Sequence, residues 1–248
     1  MAKAKDRTRV DSLYEAVLKL SALSKEKNGD VDAAPMNAAG LQATNDVSKT
    51  PRMKKFRFQL LHQWLVANFA ACRTADIGGG KGLLTYLLRN DGWDATVIDP
   101  ERQALLHKYK SLETDRQTAV PSGSNVPRIN APFEIEMARE FDLLISLHAH
   151  ACNVKIIDAA TTYGSGFLLL PCCIMDEPLY PIKGISWMEC LTDYAIQRGH
   201  VIYPLQLNFK GQNIGFYSFG QRVQPRIHSP LPEVPNLREG LSTDERRD

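Results

Sequence analysis

The 248-residue chain lacks long apolar runs, an excess of charge of either sign and an even number of cysteines. No apolar run approaches the roughly 18 residues that cross a bilayer, so a membrane protein is not expected. The basic start, Met1–Arg7, is not followed by an apolar segment, so we expect no secretion signal. Five cysteines, two of them adjacent, argue against a disulfide framework and favour a reducing, cytoplasmic location.

Length and composition suggest one folded domain with additional segments, or two small domains. Hydrophobic residues make up 44% and charged residues 23% of the chain, close to ordinary globular usage. Composition divides the chain into three parts. Residues 1–50 are predicted to hold an amphipathic helix (Thr8–Ser24) and a mobile linker, residues 51–220 a folded domain, and residues 221–248 an irregular, proline-rich tail.

Apolar segments typical of strands alternate with helical patterns through the folded domain. Strands are predicted at Arg73–Ile77, Ala95–Ile98, Val126–Ile129, Phe141–Leu147, Gly166–Leu170, Val201–Phe209 and Ile214–Phe219. Helices are predicted at Phe56–Phe69, Lys81–Arg89, Glu101–Tyr109, Val154–Tyr163 and Ile185–Arg198. This alternation predicts an α/β protein with a doubly wound, mostly parallel sheet of seven strands that ends in an antiparallel hairpin.

A glycine-rich segment, Asp76–Gly82, follows the first predicted strand and opens a helix. Glycines permit a tight turn and the close approach of a ligand to the backbone. A phosphate-binding P-loop needs Ser or Thr after its lysine, but Lys81 is followed by Gly82. The dinucleotide pattern G-x-G-x-x-G/A needs Gly or Ala where Leu83 or Thr85 stands here. Neither pattern therefore describes this segment.

The segment does fit D/E-x-G-x-G-x-G at every position, and it resembles motif I of the class I S-adenosylmethionine (SAM)-dependent methyltransferases. The resemblance implies a Rossmann-like fold, SAM as the cofactor and methyl transfer as the reaction. It also implies that the loop lies against the methionine part of SAM and that the first acid helps to hold its amino group. The residues assigned to cofactor binding on this ground are Asp76, Gly78, Gly79, Gly80 and Gly82.

A second acid, Asp99, ends the second strand, 21 residues after Gly78. A carboxylate at this place can accept hydrogen bonds from two ribose hydroxyls, in dinucleotide and SAM sites alike. The alternative is a solvated Asp beside a structural loop. Asn130 and Ala131 follow the third strand and are candidates for contact with adenine, although an ordinary loop explains them equally well. Leu147, at the end of the fourth strand, completes the predicted cofactor site.

Histidines and cysteines follow the fourth and fifth strands, in His148–Asn153 and Pro171–Cys173. Ligands of doubly wound sheets bind at the carboxyl ends of the strands, so both segments are expected beside the glycine loop. They resemble a methyltransferase subgroup with Leu-His-Ala-Cys-Gly-like and Pro-Cys-Cys segments, which includes eukaryotic tRNA ribose 2′-O-methylases. The present chain has two extra residues between the first histidine and the cysteine, and Asn153 in place of glycine. Which histidine takes the subgroup's position therefore stays open.

Three chemical roles are considered for these side chains. His148 or His150 is a candidate general base, which methyl transfer needs only if the nucleophile must lose a proton; the alternative is a histidine that only hydrogen-bonds the loop. Cys172 is a candidate nucleophile, as in cytosine-C5 methylases, although those enzymes place Pro-Cys after strand four. The two histidines and the cysteines Cys152, Cys172 and Cys173 are also residue types that bind zinc. Adjacent cysteines rarely both bind one tetrahedral ion, however, so no metal site is predicted. Small cysteines that merely line a pocket are the simplest interpretation of the pair.

A basic segment precedes the glycine loop. Four cations and two aromatic residues fall within eight positions, and the cations are the predicted substrate-binding residues Arg52, Lys54, Lys55 and Arg57. Cations bind phosphate and aromatic rings stack on bases, so an RNA substrate, tRNA or rRNA, is predicted. A solvated helix start is the alternative interpretation of the segment. Two other functions stay open: a small-molecule methyltransferase with residues 8–50 as a lid, and a methyltransferase-like binding protein without activity.

Overall fold

The computed structural model describes residues 2–27 and 50–226, with the side chains of the first range described from Ser12 onward. The helices are α1 (Ala2–Lys27), α2 (Arg57–Asn68), α3 (Leu83–Asn90), α4 (Asn153–Tyr163) and α5 (Trp187–Gln197). The strands are β1 (Arg73–Ile77), β2 (Asp94–Ile98), β3 (Lys108–Lys110), β4 (Gln117–Ala119), β5 (Arg128–Ile129), β6 (Leu143–Leu147), β7 (Gly166–Leu170), β8 (Tyr203–Gln206) and β9 (Ile214–Ser218). The predicted linker and tail fall mainly at 28–49 and 227–248, outside the described residues.

Seven strands form one mixed sheet in the order β5-β2-β1-β6-β7-β9-β8. The first five are parallel, whereas β9 runs antiparallel to both β7 and β8. The predicted α/β fold, with its mostly parallel sheet of seven strands and antiparallel hairpin, is confirmed, and it is Rossmann-like. The chain proceeds outward in opposite directions from β1 and β6. The loops after these two strands therefore border a crevice, the usual ligand site of such a sheet.

Helices cover both faces of the sheet and create two apolar cores. One core joins α1, α4 and α5 to the sheet, and the other joins α2 and α3 to its opposite face. In β6, Leu144 belongs to the first core, whereas Leu143 and Ile145 belong to the second. Burial on both faces explains why this strand reads as a continuous apolar run.

The helix α1 is longer than predicted and is packed on the domain. It contacts α5 and β8, and Val17 is fully buried in the first core. Ser21 Oγ donates to the carbonyl of Ile202 over 2.5 Å, and the Ile202 N–H donates to Ser24 Oγ over 3.1 Å. No described helix combines the length and apolarity needed to cross a bilayer.

The helix predicted at Glu101–Tyr109 is wrong. Residues 101–107 have no regular structure, and β3 instead pairs with β4 in a small antiparallel sheet. The Glu101 carbonyl, which a helix would bond to an N–H four residues on, accepts from Arg128 Nη2 over 3.1 Å. A tertiary contact thus replaces the first turn that local propensity favours.

Candidate functional site

The glycine loop between β1 and α3 is held by close backbone packing. Gly78, Gly80 and Gly82 have φ of +67°, +53° and +78°, which side-chain-bearing residues rarely adopt. A Cβ at Gly78 would collide with the Cβ of Ala149, so the loop after β1 touches the loop after β6. A Cβ at Gly80 would have no described heavy atom within 4 Å. The loop is therefore tightly packed at Gly78 and faces open space at Gly80.

Asp99 lies at the end of β2, directly beside this loop. Its carboxylate accepts the Gly80 N–H and the Glu101 N–H, each over 2.9 Å. The side chain belongs to a residue only 7% exposed. A carboxylate offers about four acceptor positions, so about two remain for a ligand. Asp99 is thus in direct contact with the glycine loop, and its role in binding a ribose stays a prediction.

Asp76 lies beneath the loop, where it is only 1% exposed. Its carboxylate accepts from Thr85 Oγ1 over 2.9 Å and fills the space that a Cβ at Gly79 would need. Burial raises the pKa of Asp76 to about 6, although the bond from Thr85 opposes that rise. In this arrangement Asp76 supports the loop from below. Its contact with a cofactor amino group stays a prediction.

Arg128, in β5, is a residue of this site that the sequence analysis missed. Its Nη1 donates to the Gly80 carbonyl over 2.7 Å, and its Nη2 holds the carbonyl of Glu101. The guanidinium therefore links the glycine loop to the segment after β2 by two hydrogen bonds. The only available signal was a cation in a short predicted strand, which does not by itself indicate a role.

The remaining predicted cofactor residues lie at neighbouring strand ends. Asn130 is exposed just after β5, Ala131 is half-buried, and Leu147 is buried at the end of β6. Their roles stay predictions.

His148 follows β6 with φ of +61°, a strained conformation for a histidine. Its Nε2 lies 2.7 Å from the Gln212 carbonyl, which can only accept, so Nε2 carries the proton. Its Nδ1 is buried and has no hydrogen-bond partner among the described residues. Burial, with the positive charges of Lys54 and Arg57, lowers the pKa of His148 to about 4. The ring is thus a neutral acceptor, and so low a pKa makes it a weak base.

Of the five histidines and cysteines considered as candidates, three lie together and two lie apart. His150 Nε2 lies 3.2 Å from Cys172 Sγ, and the two sulfurs of Cys172 and Cys173 are 3.6 Å apart. His148 faces Gln212 instead, and Cys152 is buried with its sulfur 3.9 Å from Ser146 Oγ. One exposed histidine and two half-buried cysteines therefore form a cluster.

Burial decides the reactivity of the thiols. It raises the pKa of Cys152 to about 12, so this thiol stays protonated. Burial and the neighbouring Cys173 also raise the pKa of Cys172. A raised pKa does not favour the thiolate that a nucleophilic role for Cys172 would need. That role stays a prediction.

Glu177 joins the two loops that carry this cluster, and sequence reasoning did not identify it. The residue is 2% exposed. Its carboxylate accepts the Asn153 N–H over 2.8 Å, the Asn153 side-chain amide over 2.7 Å and the Val154 N–H over 3.2 Å. It thereby satisfies the start of α4, where unpaired N–H groups favour a negative charge. The Ala151 N–H also donates to the Met175 carbonyl, over 3.2 Å.

A cavity of about 690 Å³ opens beyond the end of β7. Its walls come from α1, the start of α5, the β8–β9 turn and the cysteine pair, and its lining includes Leu13, Cys172, Cys173, Trp187, Gln212 and Asn213. Trp187 Nε1 and Asn213 Oδ1 are buried atoms without a hydrogen-bond partner among the described residues. Two residues of the lining thus each carry a buried polar atom whose hydrogen-bonding capacity is unused.

The basic segment lies against the β8–β9 turn. The Arg52 N–H donates to the Asn208 carbonyl over 3.0 Å, and the Lys210 N–H donates to the Arg52 carbonyl over 2.8 Å. The side chains of Arg52, Lys54 and Lys55 are exposed. Arg57 is half-buried, with its guanidinium 4.3 Å from the centre of the Phe58 ring. Of the four predicted substrate-binding cations, Lys54 and Arg57 lie near enough to His148 to lower its pKa.

Comparison with known proteins gives a partial match. No protein-family model matches the chain. A stretch of 103 residues, 41% of the chain, is 31% identical to the mouse (Mus musculus) "Probable tRNA (uracil-O(2)-)-methyltransferase" and 28% identical to the human (Homo sapiens) protein of that name. The stretch amounts to 13% and 12% of those relatives, so the chain matches only a small part of their length. The matched stretch thus links part of the chain to proteins that are named as probable methyltransferases.

Proposed function

We propose that the protein is a SAM-dependent methyltransferase that modifies an RNA, with tRNA or rRNA as the substrate class. The observation that carries the proposal is the junction of the glycine loop and Asp99 at adjoining strand ends. Two relatives named as probable tRNA methyltransferases support the RNA substrate.

The residues at this junction fit the cofactor. Open space beside Gly80 leaves room for the methionine part, and the unused acceptor positions of Asp99 suit the two ribose hydroxyls. Arg128 and Asp76 hold the loop in place from either side. SAM, when bound, supplies an electrophilic methyl group. Much of the acceleration of such a transfer comes from orientation, for which a fixed loop is well suited.

The acceptor is proposed to enter beside His148. The four basic side chains of the segment would bind phosphates of the RNA, because Arg52, Lys54 and Lys55 are exposed. The unpaired Nδ1 of neutral His148 would accept a hydrogen bond from the RNA group that receives the methyl, and would thereby orient that group. The proton on Nε2 stays with the Gln212 carbonyl. In this scheme His148 acts by orientation, and His150 is not required.

Two measurements test the proposal. Calorimetry should detect binding of SAM and of its product, S-adenosylhomocysteine, and Asp99→Ala should abolish it. Asp94→Ala, at the opposite end of β2, is the matched control. Mass spectrometry of nucleosides from RNA with and without the gene should show one lost methylation. Absence of cofactor binding would overturn the proposal, whereas binding without any methylated product would favour a methyltransferase-like binding protein.

A small-molecule methyltransferase is the second candidate, and the cavity favours it. Helix α1 closes one wall of this space with Leu13 and Ala16, which suits the predicted lid. Salt separates the two candidates. Affinity for RNA should fall steeply as salt rises, because phosphate contacts release counterions, whereas a flat response would favour the small molecule.

A further inference from the structure

We propose that His150, Cys172 and Cys173 form a zinc site, with three protein ligands and a fourth position open to water. The inference is independent of methyl transfer. Imidazole nitrogen and two thiolates are ligands that zinc prefers. The ligand atoms lie within 4.8 Å of one another.

The distances in the cluster suit one ion. A Zn–S bond of about 2.3 Å and tetrahedral angles place two sulfurs about 3.8 Å apart, and a sulfur and a nitrogen about 3.6 Å apart. The sulfurs of Cys172 and Cys173 are 3.6 Å apart. His150 Nε2 lies 3.2 Å from Cys172 Sγ, and rotation of this exposed ring makes up the difference.

The backbone removes the usual objection to adjacent cysteines. Neighbours in a strand point to opposite faces, so they cannot share an ion. Here β7 ends at Leu170, and residues 171–174 have no regular structure. Both sulfurs consequently lie on the same side, in contact with each other.

The ligands come from two loops that are already joined. His150 follows β6 and the cysteines follow β7, and the Ala151 N–H bonds the Met175 carbonyl just beyond each ligand. The Glu177 carboxylate fixes the same two loops at the start of α4. An ion at this place would complete an existing connection at small entropic cost. The exposed histidine and half-buried cysteines leave a path for its entry.

Zinc binding would displace the thiol protons. One Zn²⁺ replaces the protons of the two thiols, accepts the lone pair of neutral His150 and releases two H⁺. No oxidant or reductant takes part. Since Cys172 and Cys173 also line the cavity beyond β7, the ion would border that space.

Cobalt is the spectroscopic probe. The full chain, reduced and freed of metal, is titrated with Co²⁺ and then with Zn²⁺. We expect thiolate-to-cobalt charge transfer and tetrahedral d–d bands that saturate at one equivalent, and their loss when zinc displaces cobalt. His150→Ala and Cys173→Ser should each weaken binding by more than ~10-fold, as befits direct ligands. Cys72→Ser is the control. Cys72 lies just before β1, at the amino ends of the parallel strands, so this variant should bind like the wild type.

Circular dichroism establishes that each variant is folded. The proposal is overturned if the reduced wild type gives no saturable band. It is equally overturned if His150→Ala binds as tightly as the wild type, or if Cys72→Ser loses binding.

Discussion

The Asp99 carboxylate accepts the Gly80 N–H over 2.9 Å, so the acid that ends β2 also fixes the loop that ends β1. This bond makes Asp99 both a structural residue and the candidate ribose ligand. Asp99→Ala leaves two backbone N–H groups unpaired, those of Gly80 and Glu101, and should lower the free energy of unfolding by about 1–3 kcal/mol. Urea unfolding measures the loss.

Asp99→Asn separates the two roles. The amide keeps one acceptor oxygen, so we expect most of the stability to return while cofactor affinity stays low, since the charge is gone. Calorimetry beside urea unfolding makes the comparison. Equal cofactor affinity in the wild type and both variants would contradict the assignment.

Buried Asp76 predicts an unusual pH dependence. Its pKa is raised from 3.8 to about 6, so the folded protein holds a proton that the unfolded chain loses. The resulting stability is fully present below pH 3.8 and is lost as pH rises through about 6. Asp76→Asn should remove this component, because an amide does not titrate. The amide oxygen can still accept from Thr85, so the contact itself is kept. Urea unfolding as a function of pH measures it, with Asp94→Asn, on the exposed start of β2, as the control that keeps the wild-type dependence.

For His148 we expect the opposite dependence of stability on pH. Its pKa is lowered from 6.5 to about 4, so the unfolded chain binds a proton that the folded protein refuses. Stability is present above pH 6.5 and is lost as pH falls toward about 4. His148→Gln keeps a donor for the Gln212 carbonyl and cannot titrate, so its stability should change less with acid. An unchanged acid limb in this variant would show that His148 titrates normally.

Glu177 should be important for stability. Glu177→Ala leaves the Asn153 and Val154 N–H groups unpaired at the start of α4, and we expect a loss of about 2–3 kcal/mol. Glu177→Gln keeps one acceptor and should lose less. Glu134→Ala, which removes an exposed ion pair with Lys155, is the control and should cost less than about 1 kcal/mol. Thermal unfolding ranks the three variants, and an equal loss for Glu177→Ala and Glu134→Ala would contradict this view.

The basic segment predicts a salt-dependent contact. If Lys54 and Lys55 bind phosphates, the double alanine variant should weaken RNA binding and lower the salt slope by ~0.7–0.9 for each lysine. Arg89→Ala is the control. Arg89 pairs with Asp94 at the amino end of β2, away from the basic segment, so the salt slope should stay unchanged. Fluorescence anisotropy over a salt series measures the slopes. Parallel slopes for all three proteins would exclude these lysines from the interface.

Local sequence patterns predicted the strand ends well because their signal is short-range. The glycine loop, Asp99 and the apolar run of β6 each lie within a few consecutive residues. The bonds that complete the site are distant in the chain: Arg128 is 48 residues from Gly80, and Gln212 is 64 residues from His148. No spacing rule in a single sequence links such pairs.

The one wrong helix prediction results from a contact that is distant in the chain. The helix expected at Glu101–Tyr109 fails because Arg128 takes the Glu101 carbonyl, a contact that depends on sheet order. The sequence analysis predicted no metal site because adjacent cysteines rarely both bind one tetrahedral ion, and the zinc proposal is set against that prediction. Because β7 stops at Leu170, the two sulfurs face the same way.

The contact between Gly78 and Ala149 couples two loops of separate origin. A side chain at position 78 would occupy the volume of the Ala149 methyl group, so the loops after β1 and β6 cannot both thicken. The glycine loop has no room to move toward β6 at this point without displacing Ala149, the residue between His148 and His150. Sequence changes at positions 78 and 149 are therefore constrained jointly.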